Sequence, residues 1–522
     1  MSKVKLYDTT LRDGAQGEGI SYSVMDKIRI AQELDMLGIH YIEGGWPGSN
    51  PKDMEFYLQM AKRRLKNSKL VAFGSTRRPH TKACEDKNLK AILKSGTSFV
   101  TIFGKTWDLH IADVLRTSLD ENLNMIKDTV SFLVSKGLTV FYDAEHFFDA
   151  YKANKEYSLK CLLTAQDSGA KALVLCDTNG GTLTSEISRV IQEIRPKIKV
   201  CLGIHCHNDA DLAVANTIAG VEAGADMVQG TINGYGERCG NADLIPIIAN
   251  LKLKLRIDCI SDEKLKELTK LSYFVSEISN MKQRNEQPYV GASSFAHKGG
   301  VHINAVMKNP KTYEHIEPAL VGNRRRILVS ELAGKTGVLI RAKDLELDLS
   351  KENPQTKKIL SLVQKLEHQG YHFEAAEASF ELLMKKALKK YSKFFELEGF
   401  RVVVEKRQDK KITSEAIIKL KVKGTKEHTA ADGDGPVNAL DNALRKALRD
   451  FYPTLSRMHL SDFKVRVLDE KAGTAAKVRV LIQSQDENDS WSTIGVSENI
   501  IEASWQALVD SVEYKLLKDK VK

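Results

Sequence analysis

The chain has 522 residues, 42% of them hydrophobic, and a formal net charge of +10. That length exceeds one ordinary core and predicts two or three domains, and the apolar content excludes a disordered chain. The basic excess, in patches such as Lys385, Lys386, Lys389 and Lys390 or Arg324 to Arg326, carries no interleaved aromatics on a recognisable module. It is read as solvated faces that attract an anionic substrate, so no nucleic-acid partner is expected.

No apolar run is long enough to span a membrane, and Met1 to Asp8 lacks the apolar core of a signal peptide. The seven cysteines are scattered and form no C-x-x-C pair. They are read as free thiols in a reducing, cytoplasmic compartment.

Taken in order, residues 1–265 repeat a short apolar strand followed by an amphipathic helix. The predicted strands are Lys5–Asp8, Tyr41–Glu43, Val71–Gly74, Phe99–Phe103, Thr139–Ala144, Ala172–Cys176, Leu202–His207 and Met227–Thr231. Between them lie helical patterns such as Met25–Gly38, with Ile28, Ile30, Leu34 and Leu37 at near-helical spacing. Gly38, Gly96, Gly137, Gly169 and Gly224 fall where such helices should stop. Eight strands with helical crossovers predict a (β/α)₈ TIM barrel. Residues 266–390 read as a mostly helical linker. Residues 391–522 read as an α+β domain with alternating strands at Phe400–Glu405, Ala416–Val422, Phe463–Leu468 and Ala476–Gln483. Its turn cluster Asp432-Gly433-Asp434-Gly435-Pro436 opens an amphipathic helix, Val437–Leu448.

Barrels place chemistry at the C-terminal ends of their strands. Those ends are polar here almost throughout. His205-Cys206-His207 puts two imidazoles on one face of strand seven and turns Cys206 toward the helices. Alone, H-x-H fits two structural histidines equally well. Asp13 at the end of strand one supplies the carboxylate of a three-ligand site. Arg12 beside it is either a surface ion pair or a fixed cation aimed at a developing oxyanion. Gly14 and Gly17 permit a tight backbone path there. Glu145 ends strand five and can orient a substrate oxygen, and Asp143 shares its face. Thr178, in Asp177-Thr178-Asn179-Gly180-Gly181, is either ordinary turn chemistry or a hydroxyl donor to a carboxylate. Asn241, in Gly236-Glu237-Arg238-Cys239-Gly240-Asn241, lies within reach of a metal at the mouth. His297 and His302 lie beyond the barrel and offer an acid or base.

Leu11-Arg12-Asp13-Gly14-Ala15-Gln16, followed by Lys27, resembles the first signature of the 2-isopropylmalate, homocitrate and citramalate synthases. Leu202 to Asp209 resembles the second signature, and Gly236 to Asn241 the family's eighth-strand loop. Glu43 to Pro51, Gly74 to Arg78, Thr101 to Asp108 and Asp143 to Asp149 are similar to the citramalate branch. The resemblance covers essentially the whole chain. It implies condensation of acetyl-CoA with pyruvate to (R)-citramalate on a route to isoleucine. It implies a divalent metal (Mg²⁺, Mn²⁺ or Zn²⁺) on Asp13, His205 and His207, with Asn241 as a fourth contact. Arg12, Glu145 and His302 become the catalytic residues, and Arg12 and Thr178 bind pyruvate. It also implies a homodimer and isoleucine as an allosteric inhibitor of residues 391–522, the plainer alternative being a dimerisation domain. The alternative activities are a 2-isopropylmalate synthase and a metal-dependent acyl-CoA lyase. One position departs from the family: Asp211 replaces the glycine four residues after the second histidine. It is expected in the first turn of helix seven, where an acidic residue is acceptable.

Overall fold

A computed structural model describes residues 4–328, 354–406, 412–468, 476–487 and 489–521. The stretch 329–353 of the expected helical linker lies outside the described residues. Two compact units are present. One comprises residues 1–295 with 315–325, the other 296–314 with 326–522. The barrel's unit thus continues past residue 265, because the helix Leu268–Ile278 buries Leu268, Leu271 and Val275 in the same core as the barrel helices.

The first unit is a closed parallel barrel of eight strands in sequential order. They are β1 (Lys5–Asp8), β2 (Tyr41–Glu43), β3 (Lys69–Ser75), β4 (Phe99–Lys105), β5 (Thr139–Glu145), β6 (Ala172–Asp177), β7 (Cys201–Cys206) and β8 (Met227–Gly230). β8 closes on β1 with Lys5 opposite Met227 and Asp8 opposite Gly230. Alternation along each strand divides the core into two. Tyr7, Val71, Phe141, Ala172, Val174, Cys176 and Met227 fill the barrel. Leu6, Ile42, Ala72, Leu173, Leu202 and Ile204 face outward into the helix layer, where Cys206 is also buried.

The first helix, Val24–Leu37, shows why the helices stop where the pattern says. Ser23 and Asp26 form a reciprocal capping box at its start, and Gly38 ends it at φ +94°. Gly96, Gly137, Gly169 and Gly224 also take positive φ after their helices.

In the second unit, two antiparallel three-stranded sheets each feed a helix. The first runs Phe395–Lys406, Ile412–Val422 and Thr425–Gly433 into Pro436–Leu448. The second runs His459–Val467, Val478–Gln485 and Ser490–Ser497 into Ile500–Val521. The βββα pattern therefore occurs twice. Ala416, Ile418, Leu420 and Leu444 of the first copy share one core with Val480, Ile482 and Leu508 of the second. Among the described residues, no helix is long and apolar enough to cross a membrane.

Candidate functional site at the barrel mouth

The turn after β1 is built by Asp8. Its carboxylate accepts from the Thr10 amide at 2.9 Å and the Thr10 hydroxyl at 2.8 Å. The Thr10 hydroxyl in turn accepts from the Ile232 amide beyond β8 at 2.9 Å, which ties the two ends of the barrel together. Burial pushes Asp8 up to about 7 against these hydrogen bonds. The turn delivers Arg12 and Asp13 side by side. Gly17 follows in extended conformation, and a side chain there would sit 3.3 Å from the Gly236 carbonyl, a tight crossing with the loop after β8.

Arg12 is held on three sides. Nε donates to Glu43 Oε1 at 2.6 Å, Nη1 donates to Asp13 Oδ1, and the guanidinium lies 3.8 Å from the centre of the Phe73 ring. Phe73 stacks on Phe103, and Trp46 meets both edge-on. Glu43 is fully buried and also accepts from the Tyr7 hydroxyl. Burial raises its pKa, and Arg12 opposes that shift. Asp13 shows the opposite balance. Burial acts to raise it, but Arg12, His205 and His207 hold it below the ordinary carboxylate value.

His205 and His207 come from the end of β7. His205 Nε2 faces Asp13 Oδ2 at 3.5 Å, while its Nδ1 is hydrogen-bonded to Gln229 Oε1 at 2.8 Å. The two imidazole centres are 5.3 Å apart. His207 pairs through its backbone with Asn241, which brings the eighth-strand loop onto the site. Asp13 Oδ2, His207 Nδ1 and Asn241 Oδ1 are all buried and without a hydrogen-bond partner. Buried polar atoms are rarely left so. Here they belong to three of the four residues expected to hold a cation. Two imidazoles, a carboxylate and an amide oxygen are also a suitable donor set for a divalent metal. Among the described residues, no three His, Cys, Asp or Glu side chains are drawn to metal-ligand spacing. Arg12 occupies one oxygen of Asp13, and the fourth donor is an asparagine.

Burial, then the neighbouring His205, pushes His207 down to about 3 from its usual 6.5. The unfolded chain therefore takes up a proton in that window which the folded metal-free chain refuses. This contribution to stability is present above pH 6.5 and is lost as pH falls toward 3. At a full one-proton difference the slope approaches about 1.4 kcal/mol per pH unit. Urea melts of the metal-free wild type should steepen with that sign relative to His207→Gln; parallel curves would show that His207 protonates freely in the fold.

Glu145, at the end of β5, is half-buried and ion-paired to Lys105 of β4. Asp143, two residues earlier, is buried and accepts from Gln229 Nε2 at 3.2 Å. Burial and the nearby Glu43 raise its pKa well above the usual value. Thr178 Oγ1 accepts from the His146 amide at 2.8 Å. That leaves its hydroxyl proton to be donated elsewhere.

One expectation changes. Asp211 does not stand in the first turn of a helix. The helix begins at Ala213, and Asp211 precedes it at φ +57°, the left-handed conformation that suits the family's glycine. Aspartate tolerates it better than most residues, and Asn208 Nδ2 holds the carboxylate at 3.2 Å. His302, on the helix Gly300–Lys308 of the second unit, is exposed and packs on Tyr313 at 4.3 Å between ring centres. Its neighbour His297 is hydrogen-bonded to Glu314 at 3.1 Å.

The sequence pattern places Glu43 only at a strand end and in a family-like stretch, and it does not single out Gln229. The signal for Gln229 was present: a glutamine inside the apolar strand Met227-Val228-Gln229-Gly230 needs a buried partner. Lys27 was noticed only as part of a signature. It is buried and bridges Asp53 and the Gly44 carbonyl, fixing the turn that follows Glu43.

Residues 3–275 match the HMGL-like family. Residues 289–371 match the homocitrate synthase post-HMGL domain-like family, and 374–516 the LeuA allosteric (dimerisation) domain. The (R)-citramalate synthase of Geobacter sulfurreducens is 56% identical over 521 residues, covering 100% of this chain and 99% of that protein. The (R)-citramalate synthase of Aquifex aeolicus is 55% identical, covering 99% and 98%. A 2-isopropylmalate synthase of Methanocaldococcus jannaschii is 30% identical, covering 99% and 95%. The full-length identity to the first two proteins and the barrel-mouth geometry agree: this chain belongs to the HMGL-like family and, within it, to the (R)-citramalate synthases.

Proposed function

We propose that this chain condenses acetyl-CoA with pyruvate and hydrolyses the resulting thioester, releasing (R)-citramalate and CoA as the first step of a pyruvate route to isoleucine. The observation that carries the reading is the group of buried atoms without a hydrogen bond on Asp13, His207 and Asn241 beside an anchored Arg12. A divalent cation held by Asp13, His205 and His207, with Asn241 as a fourth contact, would supply Lewis-acid polarisation of the keto group.

The protein's own groups supply the rest. Thr178 donates a hydrogen bond from its hydroxyl to the pyruvate carboxylate. A base removes a proton from the acetyl methyl, and the enolate carbon bonds to the keto carbon. Arg12 stabilises the negative charge that develops on the former keto oxygen, and Glu145 with Lys105 organises the adjoining polar face. By the family resemblance, His302 supplies an acid or base. Water then cleaves the thioester, which makes the sequence effectively irreversible.

Release of free thiol from acetyl-CoA tests the acceptor. Pyruvate should be preferred over 2-oxoisovalerate by at least about tenfold in kcat/KM, the order that a mismatch of two methyl groups carries. Preference for the branched acid would overturn the assignment.

The second unit is assigned to dimerisation and to feedback inhibition by isoleucine. A cavity of about 930 Å³ there is lined by Asp432, Val437, Asn438, Asp441, Arg445 and His459, among others. Charged groups of both signs beside apolar ones suit a free amino acid. Calorimetry with isoleucine that shows no heat, together with unchanged activity, would remove the regulatory assignment. The free state of all seven cysteines fits a cytoplasmic location.

A further inference from the structure

Gln229 is fully buried on β8, and its amide bridges two groups of different polarity. Nε2 donates to Asp143 Oδ1 at 3.2 Å, and Oε1 is 2.8 Å from His205 Nδ1. The order of these contacts fixes a chemical outcome. The amide turns its NH₂ toward the Asp143 oxygen on β5. Its oxygen then faces His205 and can only accept, so His205 Nδ1 must carry the ring proton. Nε2 is left with a bare lone pair, and it is the nitrogen that faces Asp13 at 3.5 Å. His207 lacks such a partner, because its Nδ1 is unbonded.

We propose that Gln229, oriented by Asp143, is the positioning residue that sets the tautomer and ring orientation of His205 for metal binding. The inference rests on the metal reading of the site and adds a residue that does not touch the cation. Outer partners of this kind commonly change metal affinity by about 10–100-fold. The arrangement spans three strands, since β5 supplies Asp143, β7 supplies His205 and β8 supplies Gln229. The barrel register therefore presets the ligand before any metal arrives.

The test is titration of the metal-free full-length protein with Mn²⁺ alone, followed by calorimetry, for wild type, Gln229→Met and Gln229→Glu. Methionine keeps the volume and removes the acceptor; glutamate keeps an oxygen for Nδ1. The methionine variant should bind Mn²⁺ about 10–100-fold more weakly, and the glutamate variant should stay within a few-fold of wild type. Equal affinity for wild type and Gln229→Met would overturn the inference and leave the metal site standing. Wild type that binds no Mn²⁺ would overturn the metal reading itself. Should Gln229→Met fail to fold, the tautomer decides the matter in the metal-free wild type. Nitrogen NMR of labelled histidines should show His205 protonated at Nδ1, and protonation at Nε2 instead would refute the proposal.

Discussion

Arg12→Lys is expected to lower kcat about 10²–10³-fold while leaving the KM for acetyl-CoA within a few-fold. Lysine keeps the charge but not the fork. Arg12 uses Nε for Glu43 and Nη1 for Asp13 and rests its flat face on Phe73. An ammonium is a compact point charge that cannot satisfy both carboxylates from one fixed plane. The charge would therefore sit at a different place relative to the oxygen that becomes negative, and the loss should fall on the chemical step. Steady-state thiol release from acetyl-CoA measures it. A variant within threefold of wild-type kcat would show that Arg12 serves only to pair with Glu43 and Asp13.

Lys27→Met should cost about 3–5 kcal/mol of stability, the usual consequence of leaving one member of a buried ion pair alone. Lys27 is 3% exposed. It donates to Asp53 and, at 3.0 Å, to the Gly44 carbonyl. Asp53 also accepts from the Trp46 amide at 2.9 Å. Gly45 lies between them at φ +134°, and a side chain there would meet the Asp53 carboxylate at 2.5 Å. The pair thus clamps the turn that begins at Glu43 and carries Trp46 against Phe73. Urea denaturation should show the loss. Lys27→Met combined with Asp53→Leu should recover part of it, because no charge is then left buried alone. An unchanged midpoint for Lys27→Met would show the clamp to be dispensable.

The barrel was legible in the sequence because its signals are local. Tyr41–Glu43 is a short run around the buried Ile42, Gly38 stops a capped helix before it, and the same grammar recurs around the ring. Strand boundaries differ by a residue or two, as at β3, which begins at Lys69 and not at Val71. The H-x-H spacing and the strand-end Asp13 pointed to one place because closing the ring brings β7 and β1 near each other across β8. The supporting contacts were less legible, since they depend on barrel register. Nothing local says that Gln229 will lie between Asp143 and His205, or that Lys27 will reach Asp53. Asp211 was misplaced for a related reason. Its acidic side chain suits a first helical turn, but the backbone takes a left-handed step before the helix starts at Ala213. The twofold βββα pattern of the second unit escaped notice because Thr425–Gly433 is largely polar and reads as a loop.

Thiol release by Asp13→Ala, with acetyl-CoA, pyruvate and saturating Mn²⁺, tests the metal-site assignment most directly. Loss of the carboxylate removes one of three ligands and a partner of Arg12 together. The rate should fall at least about 10³-fold, equivalent to some 4 kcal/mol of lost transition-state stabilisation. A folded Asp13→Ala protein within tenfold of the wild-type rate would contradict the assignment of the metal to Asp13, His205 and His207.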